Sequence, residues 1–260
     1  MMARARVYGS EAIPLKRMDF GEADRIITVL TPGYGKLRCI AKGVRRSTSR
    51  MAGHLELFAH VHLMLARGRE LDVVTQASTV APFRELREDL LRSAHAYHLA
   101  ELVDGFLQDR DENRAVFSLL EQALAALAEG TTSPELVARH FEVQLLGAVG
   151  FRPELVACLG CSEAIAPGPN GYSASLGGVL CPACAPREES ARPILTDTLK
   201  LLRLLQRTPS VVDLRLTVVP ATLRDVERLL RAHLELVLER RLKAVEFVRH
   251  VSETFAGYGV

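Results

Sequence analysis

Four of the five cysteines stand in two Cys-x-x-Cys pairs, Cys158-Leu-Gly-Cys161 and Cys181-Pro-Ala-Cys184, separated by the 19 residues 162–180. Two intervening residues let the backbone turn back on itself, so both thiolates of a pair can reach one ion. Two such knuckles build a tetrahedral S₄ cage, the geometry of structural zinc, and the spacing matches the double-knuckle pattern. One structural Zn²⁺ on Cys158, Cys161, Cys181 and Cys184 is therefore expected, with two disulfides, a redox dithiol or thiols that merely lie close together as the alternatives. A catalytic zinc keeps a coordination position open for water, and four cysteines leave none. Nearby there is neither HExxH nor a His-x-Glu ahead of the Pro-Cys-x-x-Cys, so hydrolase and deaminase chemistry is disfavoured. Residues 151–192 carry three arginines against four glutamates, a poor composition for a nucleic-acid reader. The module reads as a clamp, its linking segment as turns and a short hairpin.

The second constellation is basic. Lys36, Arg38, Lys42, Arg45, Arg46 and Arg50 fall within 15 residues, the first three at even positions of an alternating run and the last three on the loop after it. Side chains at even spacing on a strand share a face, so Lys36, Arg38 and Lys42 are expected together. A basic groove with a few aromatics tracks a single-stranded backbone; Phe20, Tyr34 and Phe58 are the candidate stacking platforms. The eight histidines form no nucleophile–base grouping and no Gly-rich loop has phosphate-binding form, so no enzyme activity is expected.

The elements that must position these residues follow from period and composition. The chain has 260 residues, 48% hydrophobic and 25% charged, ordinary for a globular protein with a sizeable core. No apolar run approaches the about 18 residues that span a bilayer, the N-terminal residues lack the apolar stretch of a secretory signal, and cysteines in metal spacing suit a reducing compartment. A cytoplasmic protein with no membrane partner is expected. Charge is uneven: residues 1–80 carry 13 Lys and Arg against 7 Asp and Glu, whereas residues 81–150 carry 6 against 12. An anionic partner is expected for the first block only.

Residues 7–15, 25–30, 36–42, 55–65 and 71–77 read as strands, separated by turn signals such as Thr31-Pro-Gly-Tyr-Gly. Five short strands with no long helix among them suggest a closed barrel of OB type, which leaves no exposed edge. Cys39 reads as a small core residue and His60 and His62 as sharing a face. From residue 82 the period becomes helical: one helix through Leu86 to Phe106, one over 114–128, one capped by Ser133 with Pro134 at its first position, then 196–206, 222–241 and 244–253, with Thr222 and Asp225 as a capping box. Residues 211–219 read as extended. The architecture is α+β: an N-terminal five-stranded OB-fold barrel at 1–80, an all-helical domain at 81–150 and 193–260, and the embedded four-cysteine zinc module at 151–192.

The run from Asp19-Phe-Gly-Glu-Ala-Asp-Arg-Ile-Ile-Thr-Val-Leu through Thr31-Pro-Gly-Tyr-Gly-Lys-Leu-Arg-Cys-Ile-Ala-Lys to Gly43-Val-Arg-Arg resembles the N-terminal signature of the RecO family of bacterial DNA repair proteins. Residues 65–77 resemble that family's closing strands, and Glu239-Arg-Arg-Leu-Lys-Ala-Val-Glu-Phe its C-terminal end. The resemblance implies a recombination mediator of the RecF pathway rather than an enzyme. Such proteins bind single- and double-stranded DNA, anneal complementary strands, and act with RecR to help RecA displace the single-strand-binding protein SSB. It implies DNA contacts at Lys36, Arg38, Lys42, Arg45, Arg46 and Arg50, with support from Lys16, Arg17, Arg25, Arg67 and Arg69. The rival reading is a zinc-ribbon adaptor or transcription-related protein acting through protein contacts.

Overall fold

A computed structural model of the chain describes residues 6–214 and 216–257. By packing, the chain forms two compact units, Met1–Glu129 with Ala244–Val260, and Gly130–Lys243.

In the first unit β1 (Val7–Phe20), β2 (Asp24–Thr31), β3 (Gly35–Ala41), β4 (His60–Ala66) and β5 (Asp72–Ala81) close into a barrel in the order β1-β2-β3-β5-β4, with β4 returning to β1. All neighbours are antiparallel except β3 and β5. This is the Greek-key topology of the OB fold. Strand alternation sends Ile27, Val29, Leu37, Cys39, Val61, Leu63, Leu65 and Val74 inward, all nearly or wholly excluded from water. Burial also pushes the Cys39 thiol up to about 12, as a core residue should behave. β1 is longer than its sequence signal because it absorbs a bulge between Pro14 and Lys16. Proline brings no amide hydrogen, so a ladder tolerates it at such an irregularity. The β2–β3 turn is tied by Thr31, whose hydroxyl donates to Gly35 O at 2.8 Å and accepts from Tyr34 N at 3.2 Å. Gly35 has φ +65°, and a Cβ there would sit 2.1 Å from Asp111 O, so only glycine fits. β4 begins at His60 rather than at residue 55, since the chain turns through residues 55–59, where Phe58 has φ 67°.

The helical period from residue 82 is broken once. Asp89 has extended backbone (φ −111°, ψ 119°) and its carboxylate accepts from Arg92 N. It therefore ends α1 (Glu85–Glu88) and caps α2 (Leu90–Phe106), rather than decorating the first turn of one long helix. α3 (Arg114–Glu129) follows. α2 and α3 lie against the barrel, and α7 (Lys243–Gly257) joins the same unit through Ala244 N to the Glu101 carboxylate at 2.7 Å and Phe247 edge-on to Tyr97. The first compact unit thus runs past residue 80 and takes in these helices, which pack on the barrel. His60 and His62 do not share an environment: His60 is buried with Nδ1 2.9 Å from Glu121 of α3, while His62 is exposed.

The second unit holds α4 (Pro134–Ala148), α5 (Thr196–Arg207) and α6 (Pro220–Val237) around a three-stranded sheet of β6 (Asn170–Ser173), β7 (Gly178–Leu180) and β8 (Arg192–Ile194), in the order β7-β6-β8. Ser133 caps α4 as expected, its hydroxyl accepting from Leu136 N. The expected capping box does not form: Pro220 occupies the first turn of α6 and Val219 the cap position, so Thr222 is already inside the helix. The described residues of the stretch 211–219 form no strand; Val211–Asp213 is a 3-10 turn. Buried Arg139 pairs with Glu142 at 2.8 Å and Glu227 at 3.4 Å, linking α4 to α6. Gln144 donates to the carbonyls of Leu205 and Thr208, satisfying the end of α5.

Candidate functional site

Two places carry chemistry, one in each unit. In the second unit the four cysteine sulfurs all lie within 4.8 Å of one another, with Cys161 and Cys181 3.8 Å apart. A tetrahedral ion with metal–sulfur bonds of 2.3 Å has sulfurs about 3.8 Å apart, so the cluster fits a thiophilic divalent ion at little rearrangement. The local backbone prepares it. The amides of Gly160 and Cys181 point at Cys158 Sγ, at 3.4 and 3.2 Å, and a Cβ on Gly160 would meet Cys184 Cβ and Sγ at 2.9 Å. Burial alone would raise the Cys158 thiol, but these amides and that of Cys161 outweigh it and hold it down to about 6. Its fellow Cys184 moves the other way, up to about 12, through its hydrogen bond with Cys181 first and burial second. Four adjacent thiols thus do not all ionise unaided; a cation is what makes four thiolates compatible.

The cluster is bolted to the helices of its own unit. Gln206 and Arg203 of α5 donate to the carbonyls of Pro153 and Leu155 at 2.8 Å each. Tyr172 of β6 is 2.6 Å from His233 of α6, both buried. The expected hairpin is present as β6 and β7, paired Gly171 to Leu180 through Ser173 to Gly178; β8 has no sequence signal of its own beyond Pro193 and Ile194.

In the first unit the expected basic residues separate into groups. Strand parity puts Lys36, Arg38 and Lys42 on the outer side of β3, but α2 and the chain after it cover one end. Lys36 is buried there, its ammonium donating to Asp104 O at 2.6 Å and paired with the Asp104 and Asp109 carboxylates at 3.2 and 3.7 Å. Its charge is consumed inside the protein, away from Arg38 and Lys42. Arg17 pairs with Glu56 at 2.8 Å. Asp19 clamps Arg25 at 3.0 Å and Arg45 at 3.3 Å; the hydrogen bond from Arg25 and the nearby Arg45 hold its carboxyl below the ordinary range. Arg67 lies 4.7 Å over the Tyr8 ring, at the barrel end where Tyr8 and Arg110 reach buried Asp72. Lys16, Arg38, Lys42, Arg46, Arg50 and Arg69 are exposed and have no ion-pair partner among the described residues.

The ladder register arranges the open end of the outer face. Lys16, Thr28 and Arg38 stand side by side across β1, β2 and β3. One step further along come Met18, Ile26, Ile40 and Val73, across four strands. Beyond them are Phe20 opposite Asp24, and Lys42 just past the end of β3. The basic loop is anchored beside this edge: Gly43 N donates to the Asp24 carboxylate at 2.7 Å and Arg45 N to Ala23 O at 2.9 Å. Of the three expected stacking platforms, Phe58 is buried in contact with Tyr97, Tyr34 is half-buried against Tyr8, and Phe20 is 51% exposed at the face just described. Sequence reasoning missed Asp19 and Glu56 as neutralising partners. Their spacing from Arg25, Arg45 and Arg17 follows no local pattern, since the contacts arise from the β1–β2 hairpin and the chain crossing beneath it.

No helix among the described residues is long and apolar enough to cross a membrane. Comparison with known proteins bears on the whole length. Residues 2–83 match the sequence profile described as Recombination protein O N terminal, and residues 87–246 that described as Recombination protein O C terminal. The chain is 44% identical over 250 residues to the DNA repair protein RecO of Roseiflexus sp. strain RS-1, covering 96% of this chain and 88% of that protein. It is 36% identical over 244 residues to the protein of the same name from Dehalococcoides mccartyi strain BAV1, covering 94% and 96%, and 38% identical over 250 residues to that of Symbiobacterium thermophilum, covering 93% and 96%. With both halves of the family's sequence pattern matched in order, on a barrel and a helical, cysteine-bearing unit, the chain belongs to the RecO family.

Proposed function

We propose that this chain is a DNA-binding recombination mediator in DNA repair. The observation that carries the reading is the set of exposed cations on one edge of the barrel, Lys16, Arg38, Lys42, Arg46 and Arg50, none neutralised by a carboxylate among the described residues. Each one that meets a phosphate releases condensed counterions, so affinity falls steeply with salt. Both single- and double-stranded DNA present the phosphates this edge needs. Annealing requires no catalytic group: cations that screen the repulsion between two strands held on one surface raise their effective concentration. Family membership supports the further role, in which the chain acts with RecR to help RecA load on DNA coated by SSB. The four cysteines hold one structural Zn²⁺, whose work is to fix the module against α5 and α6. Lys36 is left out of the DNA surface, and Arg17, Arg25 and Arg45 contribute less than the unpaired cations.

The test is a gel shift with single-stranded and duplex oligonucleotides over a range of salt, followed by strand annealing. Replacing Arg46, Arg50 and Lys42 by Glu should reduce affinity at least about a hundredfold at low salt, because three charges are reversed, with circular dichroism unchanged. A folded triple variant that binds and anneals like the parent would sink the reading. Loading of RecA on SSB-coated strands with and without RecR then tests the mediator role separately.

A further inference from the structure

The four sulfurs of the cysteine cluster are alike in chemistry and unlike in access. Cys158 is 1% exposed, Cys181 and Cys184 are half-buried, and Cys161 is open to solvent. The backbone accounts for this order. Cys158 is wrapped by its own knuckle: its amide donates to Glu163 O and its carbonyl accepts from Ser162 N, both at 2.8 Å. Its Sγ accepts from the Gly160 and Cys181 amides at 3.4 and 3.2 Å. The Gly160 main chain is seated against Cys184, since a Cβ on that glycine would meet the Cys184 sulfur at 2.9 Å. Directly after Cys161 the chain turns back through Ser162, at φ 64°, and no such enclosure covers the Cys161 side chain. Its Sγ stands 3.8 Å from that of Cys181, 20 positions along and in the other knuckle. A ligand open to solvent adds nothing to the holding of an ion, and it offers one thiolate to oxidants.

Resting on the metal-binding reading above, we propose that the module is a clamp that hydrogen peroxide opens reversibly, with Cys161 as the sulfur attacked and Cys181 as the resolving thiol. Around an ion all four sulfurs are thiolates, so access selects among them, and oxidation goes to the exposed thiolate beside a resolving partner. The Cys161 sulfur attacks one peroxide oxygen and the O–O bond breaks. The sulfur keeps that oxygen as a sulfenic acid, and the other leaves as hydroxide. The Cys181 sulfur then attacks the Cys161 sulfur, the S–S bond forms and a second hydroxide leaves. Both hydroxides take up a proton, so one peroxide becomes two waters on two electrons from the two sulfurs. The charge of the ion does not change. The other pairings are obstructed. A bond from Cys158 would forfeit the two amides its sulfur accepts, and one from Cys184 would draw its sulfur away from Gly160. Two thiolates remain, too few for a tetrahedral site, and the ion departs. The change reaches the helices because Pro153 and Leu155, just ahead of Cys158, are the residues that Gln206 and Arg203 of α5 hold.

Two measurements on the full chain decide it. In the first, the reduced, zinc-loaded parent is treated with hydrogen peroxide while a chromogenic chelator records released metal. Samples quenched early in the release are alkylated and mapped by peptide mass spectrometry. The first disulfide should join Cys161 to Cys181, it should accumulate in step with released metal, and a dithiol reductant with added zinc should restore metal content. In the second, Cys161→His and Cys184→His are compared, since three cysteines and one histidine still make a zinc site. Release by peroxide should be at least about tenfold slower than in the parent for Cys161→His, which lacks the exposed thiolate, and near the parent's rate for Cys184→His, which keeps the reacting pair. A first disulfide within one knuckle overturns the proposal, as does metal release without any disulfide, no release at all, or equal protection by the two histidine variants. Should either variant fail to bind zinc, the mapping of the parent decides alone. If the parent itself carries no metal when loaded and dialysed, it is the metal-binding reading that has failed, and this one falls with it.

Discussion

The cysteine module and the open edge of the barrel are both sites built on short strands, yet they solve opposite problems. In the module the reactive groups face one another. Four sulfurs within 4.8 Å, amides aimed at Cys158 Sγ and a glycine that admits Cys184 leave room for one small ion and nothing else. On the barrel edge the charged groups stand side by side and exposed, with no carboxylate paired to them among the described residues, so they are available to something large. Closure makes the module a stability device; openness makes the edge a binding device. Similar residues pass from one kind of site to the other through burial alone. Lys36 and Arg38 are two residues apart on β3, but Lys36 is spent on Asp104 and Asp109 while Arg38 is not.

That contrast can be broken experimentally, and the largest effect should come from the metal. Cys158→Ser, or chelation of the parent, should abolish bound metal by elemental analysis and lower the melting temperature of the second unit by about 10 °C or more, as loss of a folding-coupled ion does. DNA affinity should change by less than about threefold, within the scatter of surface substitutions. A collapse of DNA binding with the barrel still folded would merge the two sites into one.

Next in size is Asp72→Ala. It orphans the buried Tyr8 hydroxyl and the Gly68 amide and removes one ion-pair partner of Arg110. Chemical denaturation should show a loss of about 2–3 kcal/mol, the range for a hydrogen bond to a charged group with a buried partner left unpaired. The Asp72 carboxyl sits below its ordinary value: burial opposes this, but hydrogen bonds from Tyr8 and Gly68, with Arg110 nearby, prevail. A depressed folded-state value means the unfolded chain binds the proton more readily. The contribution is therefore complete at neutral pH and fades as pH falls through and below the ordinary carboxylate range. Acid titration of stability in the parent and Asp72→Asn should converge there, and parallel curves would show that Asp72 is not the group responsible.

The pair on β3 gives the sharpest comparison. Lys36→Ala should cost about 1.5–3 kcal/mol of stability and leave DNA affinity and its salt slope unchanged. Arg38→Ala should do the reverse, with stability within about 0.5 kcal/mol of the parent and a salt slope lower by about one ion. Finding both variants weakened alike in DNA binding would place Lys36 at the interface after all. The smallest effect expected is Ser133→Ala, about 1 kcal/mol from the lost cap of α4, measured by denaturation with no change in metal content.

How far these features could be read beforehand depended on the reach of the interactions behind them. The metal ligands, the turn at Thr31 to Gly35 and the Ser133 cap are short-range: two to four residues determine each, and the observed contacts are between those same residues. The five strands were legible because alternation reports one wet and one dry face. Errors came where a competing local choice won. Asp89 takes a cap and splits a helix, and Pro220 starts α6 ahead of the Thr222 signal because its fixed φ suits a first turn. Parity correctly grouped the even residues of β3, yet parity says nothing about what lies over a face.

The amino-acid sequence by itself therefore determined the kinds of element, the four-sulfur cage and the excess of cations in the first 80 residues, since each depends on nearest neighbours or on composition. Only the tertiary structure decided which cations remain available. That outcome rests on Asp104 and Asp109 reaching Lys36 from far along the chain, on Asp19 and Glu56 holding Arg25, Arg45 and Arg17, and on a bulge that sets Met18 beside Ile26 and Ile40. Charge pairing and register are settled by distance in space, and residues remote in sequence become neighbours only when the barrel closes and the helices cover one end of it.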